Sequence, residues 1–336
     1  MRKSKYLVFN SFYFNFNDDL SEIKEIKELF ENQNILDLER FIKITNIKFD
    51  FEFYNLNFIY LHKNIESLDE YVFMRKKIQI LDLSNCIKLK YIGVNAFNSN
   101  QIKQLKLPKN IEIIGDWAFA NNKIEILDLS YCINLKNIER FAFKENQIKQ
   151  LKLSKNIEII GNLAFDGNQI ETLNLSNCIN LRIIKVYAFF NNPIKQLKLS
   201  KNIEIIGDWA FANNKIEILD LSYCINLKTI KMWSFFKNQI KQLKLPKNIE
   251  LIEYHAFENN QIESLDLSNY TKLKYIMANV FSNNPLNEIK ILDNINIDYY
   301  ENNDDLWNKF AKYYNDNEKK AGDYKLENNE WQWYPL

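Results

Sequence analysis

The chain has 336 residues, of which 44 are basic and 43 acidic, leaving a formal net charge of +1. That balance sets up no field to draw in nucleic acid or an anionic membrane. Hydrophobic residues make up 46% of the chain, with only 6 Gly and 5 Pro, which suits a large core without a flexible linker. No stretch approaches the roughly 20 apolar residues of a membrane-spanning helix, so no membrane insertion is expected.

Met1 to Lys5 is basic like the start of a signal peptide. The run that follows is broken by Asn10, Ser11 and Asn15 and has no small-residue cleavage site, which favours a cytoplasmic location. Phe12, Phe14 and Phe16 alternate with polar residues and predict a strand. Asp19 and Glu22 form a capping-box pair that opens an amphipathic helix through Leu20, Ile23, Ile26 and Phe30. Residues 35 to 53 read as β-like, aromatic chain.

From residue 55 the sequence repeats. QIKQLKLPKNIEIIGDWAFANN at Gln101 and KIEILDLSYCINLKNIERFAFKEN at Lys123 return at 147, 193 and 239. The period is therefore 46 residues, split into halves of 22 and 24, with coils beginning at 55, 77, 101, 123, 147, 169, 193, 215, 239 and 261. Such a period means a stack of units, each lending its neighbour what it lacks alone. Ile102 to Leu107 ends in apolar/polar alternation, a strand too short to stand by itself but able to pair in register with the next coil. Asn110 and, in the longer half, Cys132 are expected to point inward beneath the bend after the strand. Gly115 and Gly161 are expected to take positive φ. Ala118 lets the outer segment approach, and Phe119 fills the coil behind it.

The order L-x-x-L-x-L-x-x-(Asn or Cys) resembles a leucine-rich repeat. Pro108, Ile111, Ile114, Gly115 and the Ala118-Phe119 pair narrow the resemblance to the BspA-like subclass, over residues 55–284. The resemblance implies an α/β leucine-rich repeat solenoid: curved, with a parallel β-sheet on the concave face and short helical turns on the convex face. It also implies binding of host or partner proteins, often as a surface adhesin. Solenoid ends must be covered. Residues 1–54 are therefore read as the amino-terminal cap, the other reading being a recruitment module, and residues 285–336 as the carboxy-terminal cap. In the latter the sequence predicts a strand at Ile289 to Leu292, a helix capped by Asn303 or Asp304 with Leu306, Trp307, Phe310 and Tyr313 or Tyr314 inward, and two strands about Asn328-Asn329.

Cys86, Cys132, Cys178 and Cys224 lie one period apart. Two strand spacings separate each from the next by roughly 9–10 Å, beyond the ~7 Å reach of a disulfide, so unpaired core thiols are expected and no metal site. The only histidines, His62 and His255, are nearly the whole array apart, and no glycine loop cradles a phosphate. Residues 101–136 and 193–228 differ at two positions only, and wholesale copying argues against a unique catalytic constellation. No catalytic residue and no cofactor are expected, so the chain is read as a non-enzyme.

Two kinds of surface row remain. Between the strand leucines stand Asp82, Lys106, Asp128, Lys152, Asn174, Lys198, Asp220, Lys244 and Asp266, alternating in sign, and Lys103, Glu125, Lys149 and Glu171 begin a second such row. They either fix which half stacks on which or present a zwitterionic concave surface to a partner. The position before each Ala carries Trp117, Phe141, Leu163, Tyr187, Trp209 and Trp233, which are either outer packing or an exposed convex stripe. Trp117, Phe141, Tyr187, Trp209, Trp233, Lys106, Asp128, Lys152, Lys198 and Asp220 are the partner-binding candidates. The expected function is a monomeric, non-catalytic protein-protein interaction scaffold, adhesin-like by resemblance. The alternative is an intracellular adaptor whose first 54 residues recruit another complex.

Overall fold

The computed structural model describes the backbone of Lys5–Phe9, Phe12–Phe16, Ile35–Asp37 and Ile44–Phe49, then residues 58–335, with side chains from 59 onward. The helix expected after Asp19 lies outside the described residues. The chain divides into two compact units, Met1–Gln169 and Ile170–Leu336. Each unit is a parallel-strand solenoid in which every coil contributes one strand to each of two ladders.

In the first unit the main ladder pairs Ile80–Asp82 with Gln104–Lys106, Leu81 opposite Leu105, and Ile126–Asp128 with Gln150–Lys152, Leu127 opposite Leu151. A second ladder of two-residue strands joins Ser67–Leu68, Tyr91–Ile92 and Ile113–Ile114, and separately Asn137–Ile138 with Ile159–Ile160. In the second unit the main ladder pairs Thr172–Asn174 with Gln196–Lys198, Ile218–Asp220 with Gln242–Lys244, and Ser264–Asp266 with Glu288–Ile291. The leucines between the polar residues point inward, which is what the alternation predicts.

Main-ladder pairing is taken two strands at a time: a long-half strand bonds to the short-half strand after it. Among the described residues, Gln104–Lys106 has no such pairing with Ile126–Asp128. A tyrosine hydroxyl serves that step instead. Leu199 donates its amide to the Tyr223 hydroxyl at 3.1 Å and Leu245 to that of Tyr270 at 3.0 Å, and Leu107 does the same to Tyr131. A backbone donor left by an interrupted ladder must find some acceptor, and these hydroxyls supply it.

The core carries two files. Phe73, Phe97, Phe119, Phe143 and Phe165 stack in the first unit with centroids 5.3 to 5.6 Å apart. Phe189, Phe211, Phe235, Phe257 and Phe281 do so in the second. Beside them runs a file of buried asparagines that begins at Asn100. Asn122 accepts the Ile102 amide at 3.0 Å and donates to the carbonyls of Phe97 (2.9 Å), Phe119 (3.1 Å) and Ala120 (3.1 Å). Asn214 repeats this with Ile194, Phe189, Phe211 and Ala212. One side chain thereby closes the turn of its own coil and ties it to the coil before.

Three expectations need correction. Asn110 does not point into the core: it is half-buried, and its amide donates to the Ile87 carbonyl at 2.9 Å on the surface, while Cys132 beneath the same bend is buried. Gly115 and Gly161 do not have positive φ. They are glycines because the preceding coil comes too close: an added Cβ would lie 2.8 Å from the Val94 nitrogen or 2.7 Å from the Ile138 oxygen, nearer than real contacts allow. The outer segment is a succession of tight turns rather than helix, as in Ala96 N–H to Gly93 O at 3.2 Å and Asn98 N–H to Asn95 O at 3.1 Å.

At the amino-terminal side, Ile35–Asp37 pairs in parallel with Phe58–Tyr60, and Ile44–Phe49 with Ser67–Leu68. These strands stand beside the coil at 55 as coils stand beside each other, so both ladders reach back before that residue. Lys5–Phe9 and Phe12–Phe16 extend the second ladder as an antiparallel pair. At the other end the helix Leu306–Asp316 is capped by Asp305, which accepts the Asn308 amide at 3.0 Å, rather than by Asn303 or Asp304. It buries Trp307, Phe310 and Tyr314, and Trp307 meets Phe281 edge-on at 4.9 Å. The hairpin Gly322–Glu327 and Glu330–Tyr334 turns at Asn328-Asn329, both at positive φ, and its first strand runs antiparallel to Glu288–Ile291.

Candidate functional site

With the leucines turned inward, the first and third residues of each main-ladder strand face out. Long halves present Ile and Asp and short halves present Gln and Lys, giving Ile80-Asp82, Gln104-Lys106, Ile126-Asp128 and Gln150-Lys152 in the first unit. In the second unit Gln196-Lys198, Ile218-Asp220 and Gln242-Lys244 follow Thr172-Asn174. Ile126 and Ile218 are each 58% exposed and Ile80 45%. Apolar side chains left in water at regular spacing, rimmed by charge, are what an interface contains before it is covered. The sequence reading missed these isoleucines because it followed only the charged rows.

Those charges neutralise one another. Lys106 reaches Asp82 at 3.0 Å, Lys152 reaches Asp128 at 3.8 Å and Lys244 reaches Asp220 at 3.9 Å. Each acid pairs with the lysine of the short half that follows it, the side on which the strands are hydrogen-bonded. The second row behaves likewise, with Lys149 to Glu125 at 3.1 Å and Lys195 to Glu171 at 3.0 Å. Lys198 stands opposite Asn174. The other oxygen of each aspartate accepts from a serine, as where Asp128 accepts both the amide (2.9 Å) and the hydroxyl (2.6 Å) of Ser130. Partial burial works to raise the Asp82, Asp128 and Asp220 carboxyls. The serine bonds and the lysine charges outweigh it, so all three lie below the ordinary carboxylate value.

The aromatic candidates lie on the turn side of the coils and are half-buried. In the first unit Trp117 stacks on Phe141 at 3.9 Å, with the Arg140 guanidinium 5.3 Å from the Phe141 centroid. In the second, Tyr187, Trp209, Trp233 and His255 stack in sequence at 5.6, 4.8 and 3.8 Å, with Phe190 and Phe236 edge-on. Every residue of this row is left-handed, from φ 53 at Leu163 to φ 59 at Trp117, Phe141 and His255. Bulky side chains resist that conformation at a cost of about 1–2 kcal/mol each, and where the residue carries a ring, face-to-face stacking offsets part of it. The rings are thus engaged with each other and offer mainly their edges.

Cys86, Cys132, Cys178 and Cys224 are buried and in no disulfide, and burial pushes their thiols up, to about 12 for Cys86, Cys132 and Cys224 and to about 11 for Cys178. A thiol so protonated is neither nucleophile nor metal ligand at neutral pH. Among the described residues no cluster of three or more His, Cys, Asp and Glu side chains is placed to hold a metal, and no helix is long and apolar enough to cross a membrane.

The profile of the BspA type leucine rich repeat region matches residues 21–133, 69–192, 123–237 and 219–305. A leucine-rich repeat protein from Bacteroides ovatus ATCC 8483 has a similar structure, with TM-score 0.55 and 17% identity over 87% of this chain and 67% of that one. The functional domain of InlJ from Listeria monocytogenes gives TM-score 0.40 at 16% identity, over 77% of this chain and 69% of that one. A leucine rich cell surface protein from Faecalibacterium prausnitzii A2-165 gives 0.34 at 13%, over 89% and 95%. No curated protein matches the sequence. The match to the repeat profile begins before residue 35, where the ladders begin, and continues to residue 305; the chain belongs to the BspA-type leucine-rich repeat family.

Proposed function

We propose that the chain is a non-catalytic scaffold that binds a partner protein through the outward rows of its main-ladder strands, with the segments on either side of the repeats acting as caps. The observation that supports this most is the exposure of Ile80, Ile126 and Ile218 at 45%, 58% and 58% between rows of paired charge. Apolar contact supplies the affinity of such a surface, and the flanking ion pairs set register and exclude mismatched partners. The adhesin-like use implied by the family is one form of this binding. Ion pairs already closed within the chain are poor ligands for phosphate, which fits a protein partner better than a nucleic acid.

The test is capture of a partner by the intact chain, compared with an Ile126→Glu/Ile218→Glu variant and a Trp117→Ala/Trp209→Ala/Trp233→Ala variant, each checked for fold by circular dichroism. The isoleucine variant is expected to lose the partner while keeping its fold. Loss in the tryptophan variant alone would move the interface to the turn side.

A further inference from the structure

The bends that follow the main-ladder strands share a composition that the near-neutral total charge conceals. They are residues 83–89, 107–111, 129–135 and 153–157 in the first unit, and 175–181, 199–203, 221–227, 245–249 and 267–273 in the second. None of them holds an acid, and together they hold Lys88, Lys109, Lys155, Lys201, Lys247 and Lys272. Long-half bends also expose an isoleucine, 50% for Ile87 and 54% for Ile133 in the first unit, 50% for Ile179 and 60% for Ile225 in the second. Short-half bends expose a lysine instead. The two are held side by side, because the Asn after each lysine donates its amide to the carbonyl of the isoleucine in the coil before. Asn110 reaches Ile87 at 2.9 Å and Asn156 reaches Ile133 at 2.7 Å in one unit; Asn202 reaches Ile179 at 2.6 Å and Asn248 reaches Ile225 at 2.8 Å in the other. Each unit thus carries an edge on which exposed Ile and Lys alternate from coil to coil, one strand spacing of about 4.8 Å apart.

These lysines differ from the paired ones on the ladders. The acids on either side of the bends are already engaged, Asp82 by Lys106 at 3.0 Å, Glu112 by Lys90 at 2.8 Å, Glu158 by Lys136 at 3.2 Å and Glu250 by Lys228 at 3.2 Å. Among the described residues no ion pair engages Lys109, Lys155, Lys201 or Lys247. Cations without a counter-charge call for an anionic partner. The isoleucines between them call for apolar contact as well, which a polyanion such as a nucleic acid does not offer along its phosphates. The same pattern returns in every period, so it suits a ligand that is alike at every point rather than one with a unique outline. A bilayer with anionic headgroups meets all three demands: aliphatic tips enter the boundary between headgroups and acyl chains while the ammonium groups stay level with the phosphates. We propose that this edge binds the surface of an anionic lipid bilayer, peripherally and without spanning it.

The experiment is co-sedimentation of the intact chain with vesicles of phosphatidylcholine alone and with vesicles in which about one-third of the lipid is phosphatidylserine. Binding to the anionic vesicles is expected to be at least about 10-fold tighter than to the neutral ones, and to weaken as salt is raised. Lys109→Gln/Lys155→Gln/Lys201→Gln/Lys247→Gln is expected to lose at least about 10-fold in affinity for the anionic vesicles, and Ile133→Ser/Ile225→Ser about 5-fold. All six positions are exposed, so both variants are expected to keep the fold by circular dichroism. Ile126→Ser/Ile218→Ser, on the main-ladder face, is expected to bind the vesicles as the native chain does, which keeps this result separate from the partner proposed for that face. The proposal is overturned if anionic vesicles are not bound, if neutral vesicles are bound as tightly, or if the main-ladder variant loses as much as the edge variants. Native affinity in the lysine variant overturns it too, and native affinity in the isoleucine variant would make the edge a polyanion site instead. Binding of a soluble peptide of alternating Glu and Leu in place of the vesicles would reassign the edge to an acidic polypeptide.

Discussion

The asparagine file and the aspartate-lysine rows are both polar, both periodic and both span neighbouring coils, yet they differ in kind. Asn122 and Asn214 are 6% and 7% exposed, and each amide is bonded on both sides to backbone groups. Lys106 and Asp82 keep side chains that are 68% and 45% exposed, so water replaces either partner at little cost. Depth decides the difference: the same hydrogen bond is obligatory inside the stack and optional on its surface.

The largest effect is expected from Asn214→Leu, which leaves the Ile194 amide without its acceptor and takes one of two amide donors from the Phe189 and Phe211 carbonyls, which keep Asn192 and Asn238. A loss of about 2–3 kcal/mol is expected, seen as a drop of roughly 3–4 °C in Tm by calorimetry. A drop no larger than that of a surface variant would erase the contrast. An intermediate effect is expected from Tyr223→Phe, which removes one half-buried acceptor from the Leu199 amide and should cost about 1 kcal/mol. The double change Lys106→Glu/Lys152→Glu places like charges beside Asp82 and Asp128. It is expected to cost less than about 1 kcal/mol per site at low salt, and less still at high salt; an unchanged Tm at low salt would show that the rows do not stabilise the stack at all.

The smallest effect separates the two rows by pH. Because the Asp82, Asp128 and Asp220 carboxyls sit below their ordinary value in the folded chain, their contribution is complete above the unfolded value near pH 4. It is lost as pH falls through the lower folded values. Asp166, pushed up by burial against the pull of Lys144, acts with the opposite sign. Asp128→Asn/Asp220→Asn should flatten the fall of Tm between about pH 5 and pH 3, whereas the deficit of Asn214→Leu should not change across that range.

The repeat, the inward leucines, the Phe file and the closing hairpin were legible in the sequence, because each is written in side chains that recur at the coil period or at a turn such as Asn328-Asn329. The asparagine file was not read, although Asn stands at 100, 122, 146 and 168 and again at 192, 214, 238, 260 and 284. Its partners are backbone groups, some two or three residues away and others 20 to 27, as from Asn122 to Ile102 or Asn146 to Phe119, and backbone leaves no mark on a sequence. Gly115 and Gly161 were recognised as constrained but for the wrong cause, since the crowding comes from a neighbouring coil rather than from φ. The left-handed Trp117 and Trp209 had no local signal, because aromatic residues are not the ones that favour that region. The strands at Ile35–Asp37 and Ile44–Phe49 have the backbone pairing of a coil without its full side-chain signature, so the sequence marks them as β-like chain but not as part of the array.

The protonated cysteines give the molecule built-in reporters of its own breathing. Each unit carries two of them, Cys86 and Cys132 in one and Cys178 and Cys224 in the other. Since none reacts while covered, the rate at which an alkylating reagent marks each sulfur measures how often that part of the array comes apart. The protein can be timed region by region without adding a label.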